Sequence, residues 1–159
     1  MVVPHLLKRV WVPLTLVCLP TLLVLAIVPA SLYFYGLHAV GTPRRPSSVA
    51  SPREQLCAWR TIESVGTVSL EPITPWHPIF ALLSPGGATA SAPGSRVAAA
   101  VAGRYVHGTS ERLSNIRWHV TTYAVAVWLT RHRSPPELAA EALPIVMAGA
   151  PSRIAPECN

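Results

Sequence analysis

The sequence predicts a mainly α protein: one N-terminal transmembrane helix, then a small helical domain of about three helices with an irregular proline-rich segment. Three observations carry that expectation. Residues Val10 to Val40 contain no formally charged side chain. Beyond Gly94, apolar residues recur at helical spacing in three stretches. Most of the 17 prolines fall either inside the apolar run or between Thr42 and Pro93, where they break regular structure.

Residues 1–9 form a flank that carries Lys8 and Arg9. Residues 10–40 exceed the roughly 20 apolar residues that cross a bilayer. Tyr33 and Tyr35 near the far end suit an interfacial aromatic belt, and Pro13, Pro20 and Pro29 are tolerated in membrane helices. Val28-Pro29-Ala30 before Ser31 also fits a signal-peptidase site, but the apolar run continues past it. It is longer than the usual signal core of about 7–15 residues, so an uncleaved signal-anchor is expected. Basic residues flank both ends, with Lys8 and Arg9 facing Arg44, Arg45 and Arg53. The positive-inside rule is therefore close to a tie, and the short N-terminal flank leans towards an extracytoplasmic domain.

Residues 41–52 read as a juxtamembrane Pro/Ser-rich linker, and residues 53–159 as the small extracytoplasmic domain. Within the domain, Arg53 to Ser64 has helical offsets, and Val65 to Leu70 alternates weakly as a strand. Pro72, Pro75, Pro78 and Pro85 then interrupt the chain, and Pro85-Gly86-Gly87 opens a loop. Ser95 to Val106 is a helix with Ser95 as N-cap and Val97, Val101 and Tyr105 on one stripe. Glu111 to Arg133 is the longest periodic stretch, its stripe running Leu113, Ile116, Val120, Tyr123 or Ala124, Val127 and Trp128. Arg117 and His119 in its interior argue against a second crossing. Ser134 caps a last helix with Pro135 in its first turn and Glu137 completing a capping box. Leu138, Ala142, Leu143 and Ile145 give it an apolar face before Gly149-Ala150-Pro151.

Composition narrows the chemistry. Lys8 is the only lysine and aspartate is absent; this arginine- and alanine-rich usage points to a high-GC bacterial genome. Without aspartate the chain cannot assemble a Ser-His-Asp triad or Asp-ligated magnesium. Acid–base work would fall to a glutamate or a histidine. The formal net charge is +6, but the arginines are scattered and no aromatic-basic motif accompanies them. Nucleic acid is therefore an unlikely partner, and anionic lipid or wall polymer fits better, with Arg117 and Arg131 as contacts. His5, His38, His77, His107, His119 and His132 include no i, i+4 pair and no neighbouring Cys, so no metal site and no cofactor is expected. Trp59, Trp76, Trp118 and Trp128 suit core and interface duty more than a sugar-stacking surface. Cys18 lies in the apolar run. Cys57 and Cys158 flank the domain; they would staple its ends as a disulfide in an oxidising compartment, and the sequence is equally consistent with two unrelated thiols.

From Gly94 to Leu143 the order is Gly-Ser, a small-residue helix, a long helix ending Trp-Leu-Thr-Arg-His-Arg-Ser, and then Pro-Pro-Glu-Leu. This order resembles the middle of the peptidoglycan glycosyltransferase family 51 domain. Gly94 and Ser95 match the start of that family's Gly-Ser-Thr-Ile-Thr-Gln-Gln helix. Arg131, Ser134 and Glu137-Leu138 match its Arg, Ser and Glu-Ile positions. The resemblance implies an anchored protein that acts on a glycan lipid outside the cytoplasmic membrane. The family's Glu-Asp-x-x-Phe-x-x-His signature has no counterpart, and Arg96, Ala98, Ala99 and Ala100 replace its Thr and Gln residues. Glu63 and Glu71 are the weak catalytic candidates that remain. The sequence thus favours a non-enzymatic accessory or interaction component of the cell envelope, partnered by the bilayer and by another envelope protein or a glycan lipid. A divergent glycosyltransferase-like enzyme and a basic lipid- or polymer-binding module are the alternatives.

Overall fold

The computed structural model of the protein describes residues 4–77, 92–109 and 113–149, with side chains from residue 20 onward. The described residues form helices and no strand. Helix α1 spans Pro4–Val40, α2 Pro52–Glu63, α3 Ser95–Thr109, α4 Asn115–His132 and α5 Pro135–Gly149. The mainly helical class follows. One stretch of α1, Pro20–Val40, is long and apolar enough to cross a membrane.

Helix α1 runs unbroken through the apolar segment and stops where the sequence changes character. Gly41 takes a positive φ of 74°, and its amide donates to the Leu37 carbonyl at 2.8 Å. Glycine adopts that left-handed C-terminal turn without a Cβ penalty. The two parts of α1 meet different surroundings. Leu22, Leu23, Val24, Leu25, Ile27 and Val28 are all exposed. From Pro29 onward one face is buried: Pro29 and Gly36 fully, Tyr33, Leu37 and Val40 in part. That face packs on α4.

Gly36 sets the closeness of this crossing. A Cβ there would lie 2.6 Å from Ala124 Cβ and 3.1 Å from both Thr121 Cα and the Val120 carbonyl oxygen. Small residues let two helix backbones approach in this way. Helix α4 is thus enclosed on two sides, by α1 and by α3. Its buried residues Thr121, Thr122, Ala124, Val125, Ala126, Val127, Leu129 and Thr130 consequently occupy more than one stripe. Ile116, expected on the buried stripe, is instead 78% exposed, while the next two residues meet the neighbouring helices, Arg117 at Tyr35 of α1 and Trp118 at His107 of α3.

The remaining elements close the core behind α4. Helix α2 pairs with α5, and α3 packs on both α4 and α5. Trp59, Val97, Val106, Val125, Leu129 and Leu138 are the large side chains at its centre. The start of α2 is fixed by a capping box: the Ser51 amide donates to Glu54 at 2.6 Å, and the Glu54 amide to Ser51 Oγ at 3.4 Å. At α5, Glu137 accepts from both the amide and the hydroxyl of Ser134, at 2.8 and 2.9 Å. Ser95 is the first helical residue of α3 rather than its cap.

One expectation about the chain between helices changes. Val65 to Leu70 forms no strand. With no strand beside it to complete a ladder, its backbone pairs with other elements; the Ser69 carbonyl accepts from Trp59 Nε1 at 3.0 Å. Residues 41–52 are more than a loose tether. Pro43 and Ala50 are buried, and the Ala50 amide donates to the Pro136 carbonyl at 3.0 Å. Arg133 donates to the carbonyls of Pro43 and Arg44 at 3.0 and 2.6 Å. Its guanidinium also pairs with Glu141 at 3.2 Å and lies 5.0 Å from the Trp128 ring centroid. One buried cation therefore holds the linker to the ends of α4 and α5.

Candidate functional site

Two concave regions carry chemistry. The first is a cleft of about 330 Å³ between the end of α2 and the start of α3. Glu63 reaches across it, its Oε1 accepting from the amides of Arg96 at 2.8 Å and Val97 at 3.4 Å. These are orphan donors of the first turn of α3, so the Glu63 carboxylate does the capping expected of Ser95. Gly94 forms the opposite lip at φ +78°, and a Cβ there would meet Leu70 Cδ1 at 2.7 Å and the Ser69 carbonyl at 2.9 Å. The structure thus brings together Glu63 and the Gly94-Ser95 pair, which the sequence leaves unconnected. Trp59 Nε1 closes the floor through its bond to Ser69. Glu71, the other acidic candidate, is exposed, does not line this cleft, and is tied down through its amide to the Pro93 carbonyl at 2.9 Å.

The second region is an apolar cavity of about 580 Å³ between α1 and α4. Val28, Pro29 and Leu32 of α1 form one wall, and Val120 and Tyr123 of α4 the other. Pro75 closes one end, while Tyr33 and His119 sit at the rim. The Tyr123 hydroxyl donates to the Thr74 carbonyl at 2.9 Å, and burial pushes that phenol well above its ordinary range. It is a fixed, neutral wall rather than a proton carrier.

The two arginines singled out from sequence stand around this second region. Arg117 Nε donates to the Tyr35 hydroxyl at 2.7 Å, and its guanidinium lies 5.8 Å from the Tyr35 ring centroid. Arg131 Nε donates to the Ile73 carbonyl at 3.0 Å, two residues before Pro75. Both side chains belong to exposed residues, so each is positioned by one bond and keeps its remaining donors outward. The sequence names these residues but gives no hint that α1 supplies Arg117's partner.

The other candidates have structural surroundings. Trp59 is fully buried, which removes it from any stacking surface. His132 stacks on Trp128 at 4.6 Å, and His119 meets Trp118 edge-on at 4.9 Å. Cys57 is buried and disulfide-bonded; Cys158 lies outside the described residues. Among the described residues, no group of three or more His, Cys, Asp or Glu side chains could hold a metal ion. Arg133 and Glu141 form the most buried charged pair, and sequence reasoning missed them. Burial raises the Glu141 carboxyl from its ordinary range, with Arg133 opposing the rise.

No family model matches the chain, and no curated protein and no solved structure shows significant similarity to it.

Proposed function

We propose that this protein is a single-pass, membrane-anchored, non-enzymatic accessory or interaction module of the bacterial cell envelope, its helical domain held against the outer face of the cytoplasmic membrane. The observation that carries this reading is the division of α1. A helix of this length extends about 55 Å, against about 30 Å of hydrocarbon. Its exposed apolar part suits lipid, and its last three turns are seated on α4 through Gly36. An anchor gripped in this way holds its domain at a fixed attitude to the bilayer. Retention of the anchor is supported by the continuity of α1 through Ala30 and Ser31 and by the burial of Pro29, beside the candidate cleavage bond.

Two measurements test this reading. Alkaline carbonate extraction should leave the full chain in the membrane pellet, and release into the supernatant would refute the anchor. A reporter fused after residue 159 should be active outside the cytoplasm; activity inside would overturn the assigned side. A specific membrane partner in cross-linked pulldowns is the expected sign of the interaction role, and repeated empty pulldowns would count against it.

One observation favours a second reading, a divergent glycan-polymerising transferase. Glu63 shares a cleft with Gly94, the first residue of the Gly-Ser pair that opens the family 51 resemblance. Glycosyl transfer needs a positioned carboxylate to activate the acceptor hydroxyl. The Oε1 atom of Glu63 already serves two amides, which fits capping better than proton transfer. Lipid II polymerisation by the purified chain, lost in Glu63→Gln while the fold persists, would establish the enzyme. Absence of turnover in the wild type would end that idea.

A further inference from the structure

We propose that the cavity between α1 and α4 holds one acyl chain of an anionic phospholipid, with the lipid's headgroup drawn to Arg117 and Arg131. The proposal rests on the membrane-anchor reading and adds a defined ligand to it. The argument begins with position along α1. Val28 and Leu32 line the cavity, and both are continuous with the exposed apolar stretch from Leu22. If that stretch lies in hydrocarbon, the cavity opens sideways onto lipid tails. Its volume of about 580 Å³ falls within the roughly 300–1,000 Å³ of small-molecule sites.

Charge then follows depth in the order a lipid requires. Tyr35 lies one turn beyond Leu32 and seven residues beyond Val28, or about 10 Å further along the axis. At that level its hydroxyl and ring hold the Arg117 guanidinium in place. Arg131 is pinned near the Pro75 end through Ile73. Neither α1 nor α4 contains a single carboxylate, so neither helix can neutralise these cations. On the third lining segment the nearest acid in sequence is Glu71, whose amide is tied to Pro93. The lining is apolar apart from His119 and the tyrosine hydroxyls; the two arginines stand outside it, and among the described residues no carboxylate forms an ion pair with either. A phosphodiester bearing an anionic headgroup completes that pattern, because guanidinium pairs with phosphate oxygens through two parallel bonds. Ile116, 78% exposed beside Arg117, adds an apolar side chain at the same level.

The test uses the full chain in nanodiscs containing phosphatidylglycerol with a photoreactive diazirine on one acyl chain, and phosphatidylcholine with the same chain as control. Adducts are mapped by peptide mass spectrometry. The expected result is labelling of the Val120–Tyr123 peptide, several-fold stronger with phosphatidylglycerol. Leu32→Trp, which fills the cavity from the exposed side, should reduce it several-fold, and so should Arg117→Gln combined with Arg131→Gln. Labelling around Leu22 to Leu25 should stay unchanged in every variant, reporting ordinary boundary lipid. Labelling confined to Leu22–Leu25, with α4 bare, overturns the site while leaving the anchor intact. Equal labelling of α4 by both lipids overturns headgroup selection and with it the proposal. No labelling of either helix, with the chain released by carbonate, would instead remove the anchor reading itself.

Discussion

Replacing Gly36 by alanine tests the grip between anchor and domain. The added Cβ would stand 2.6 Å from Ala124 Cβ and 3.1 Å from two backbone atoms of α4. Carbon atoms rest at about 3.5–4.0 Å, so α1 and α4 must part by roughly 1 Å. Overpacking of this kind costs about 1–3 kcal/mol. Glycine inside a helix costs about 0.8–1.0 kcal/mol relative to alanine, and that gain offsets part of the clash. The net loss expected for Gly36→Ala is therefore about 0–2 kcal/mol, a fall in Tm of up to roughly 8 °C for a chain of this size. Because two opposing effects make the single variant ambiguous, the decisive measurement is a double-mutant cycle. Ala124→Gly removes the atom that the new methyl strikes and alone should cost about 1 kcal/mol of helix propensity. In Gly36→Ala/Ala124→Gly the 2.6 Å contact is removed while the two 3.1 Å backbone contacts remain, so the double variant should be about 1 kcal/mol more stable than the sum of the singles predicts. Thermal unfolding of the full chain in one detergent reads all four proteins. Additivity within about 0.5 kcal/mol, the behaviour of independent sites, would refute the close crossing and the rigid anchor built on it.

Arg133→Ala removes the cation that joins Glu141 to the carbonyls of Pro43 and Arg44; a loss of about 3 kcal/mol is expected, with partial recovery in Arg133→Ala/Glu141→Gln, read by thermal unfolding. Thr121 Oγ1 is buried without a hydrogen-bond partner, so Thr121→Val should leave stability unchanged or raise it by about 1 kcal/mol; a clear loss would mean that the hydroxyl has a partner. Stability should fall as pH drops below the ordinary carboxyl value of 4.5, because hydrogen bonds from Ser51 and Ser134 hold Glu54 and Glu137 below it. The unfolded chain then takes up protons first, so the contribution is present above that pH and is lost as pH falls through the lowered values. Glu141, raised by burial, acts in the opposite sense; Glu54→Gln/Glu137→Gln should flatten the acid side of a denaturation–pH profile. Non-reducing peptide mapping should join Cys57 to Cys158, and a Cys57–Cys18 peptide would contradict the pairing expected from sequence.

The sequence made the helices legible because each carries a local signal. The Val10–Val40 run ends at the Gly41 turn, and Ser134-Pro135-Pro136-Glu137 marks the start of α5. The Ser51–Glu54 box was equally readable as Ser-x-x-Glu; placing the helix start at Arg53 passed over it. What sequence did not give is set by contacts between distant segments. Ile116 fits the apolar stripe of α4, yet it is 78% exposed, because burial depends on which directions the neighbouring helices approach from, which periodicity does not encode. Glu63 and Gly94 are 31 positions apart, and only the packing of α2 beside α3 brings Glu63 to the amides of Arg96 and Val97 that it caps. The weak alternation of Val65 to Leu70 suggested a strand because alternation alone does not report whether another strand lies alongside. The apolar cavity was hidden for the same reason: half its wall belongs to α1, which reads from sequence purely as membrane segment.

The linker shows how this difference bears on function. A linker that made no contacts with the domain would let it sample many attitudes relative to α1. Here Arg133 holds the carbonyls of Pro43 and Arg44, Ala50 bonds to Pro136, and Tyr105 donates to the carbonyl of Val40 at 3.1 Å. Together these bonds connect the end of the anchor and its linker to α3, α4 and the start of α5. Freeing the linker would strip Nη2 of the buried Arg133 of its two carbonyl acceptors while the Glu141 pair remained, and a buried donor left unsatisfied is costly. The prolines contribute by limiting the conformations that the unfolded segment can gain on release. Proline content here therefore favours a fixed strap over a flexible tether. Under the proposed anchor reading, a module strapped in this way would present one constant face to the bilayer, and the cavity proposal makes that the face with Arg117 and the mouth of the cavity.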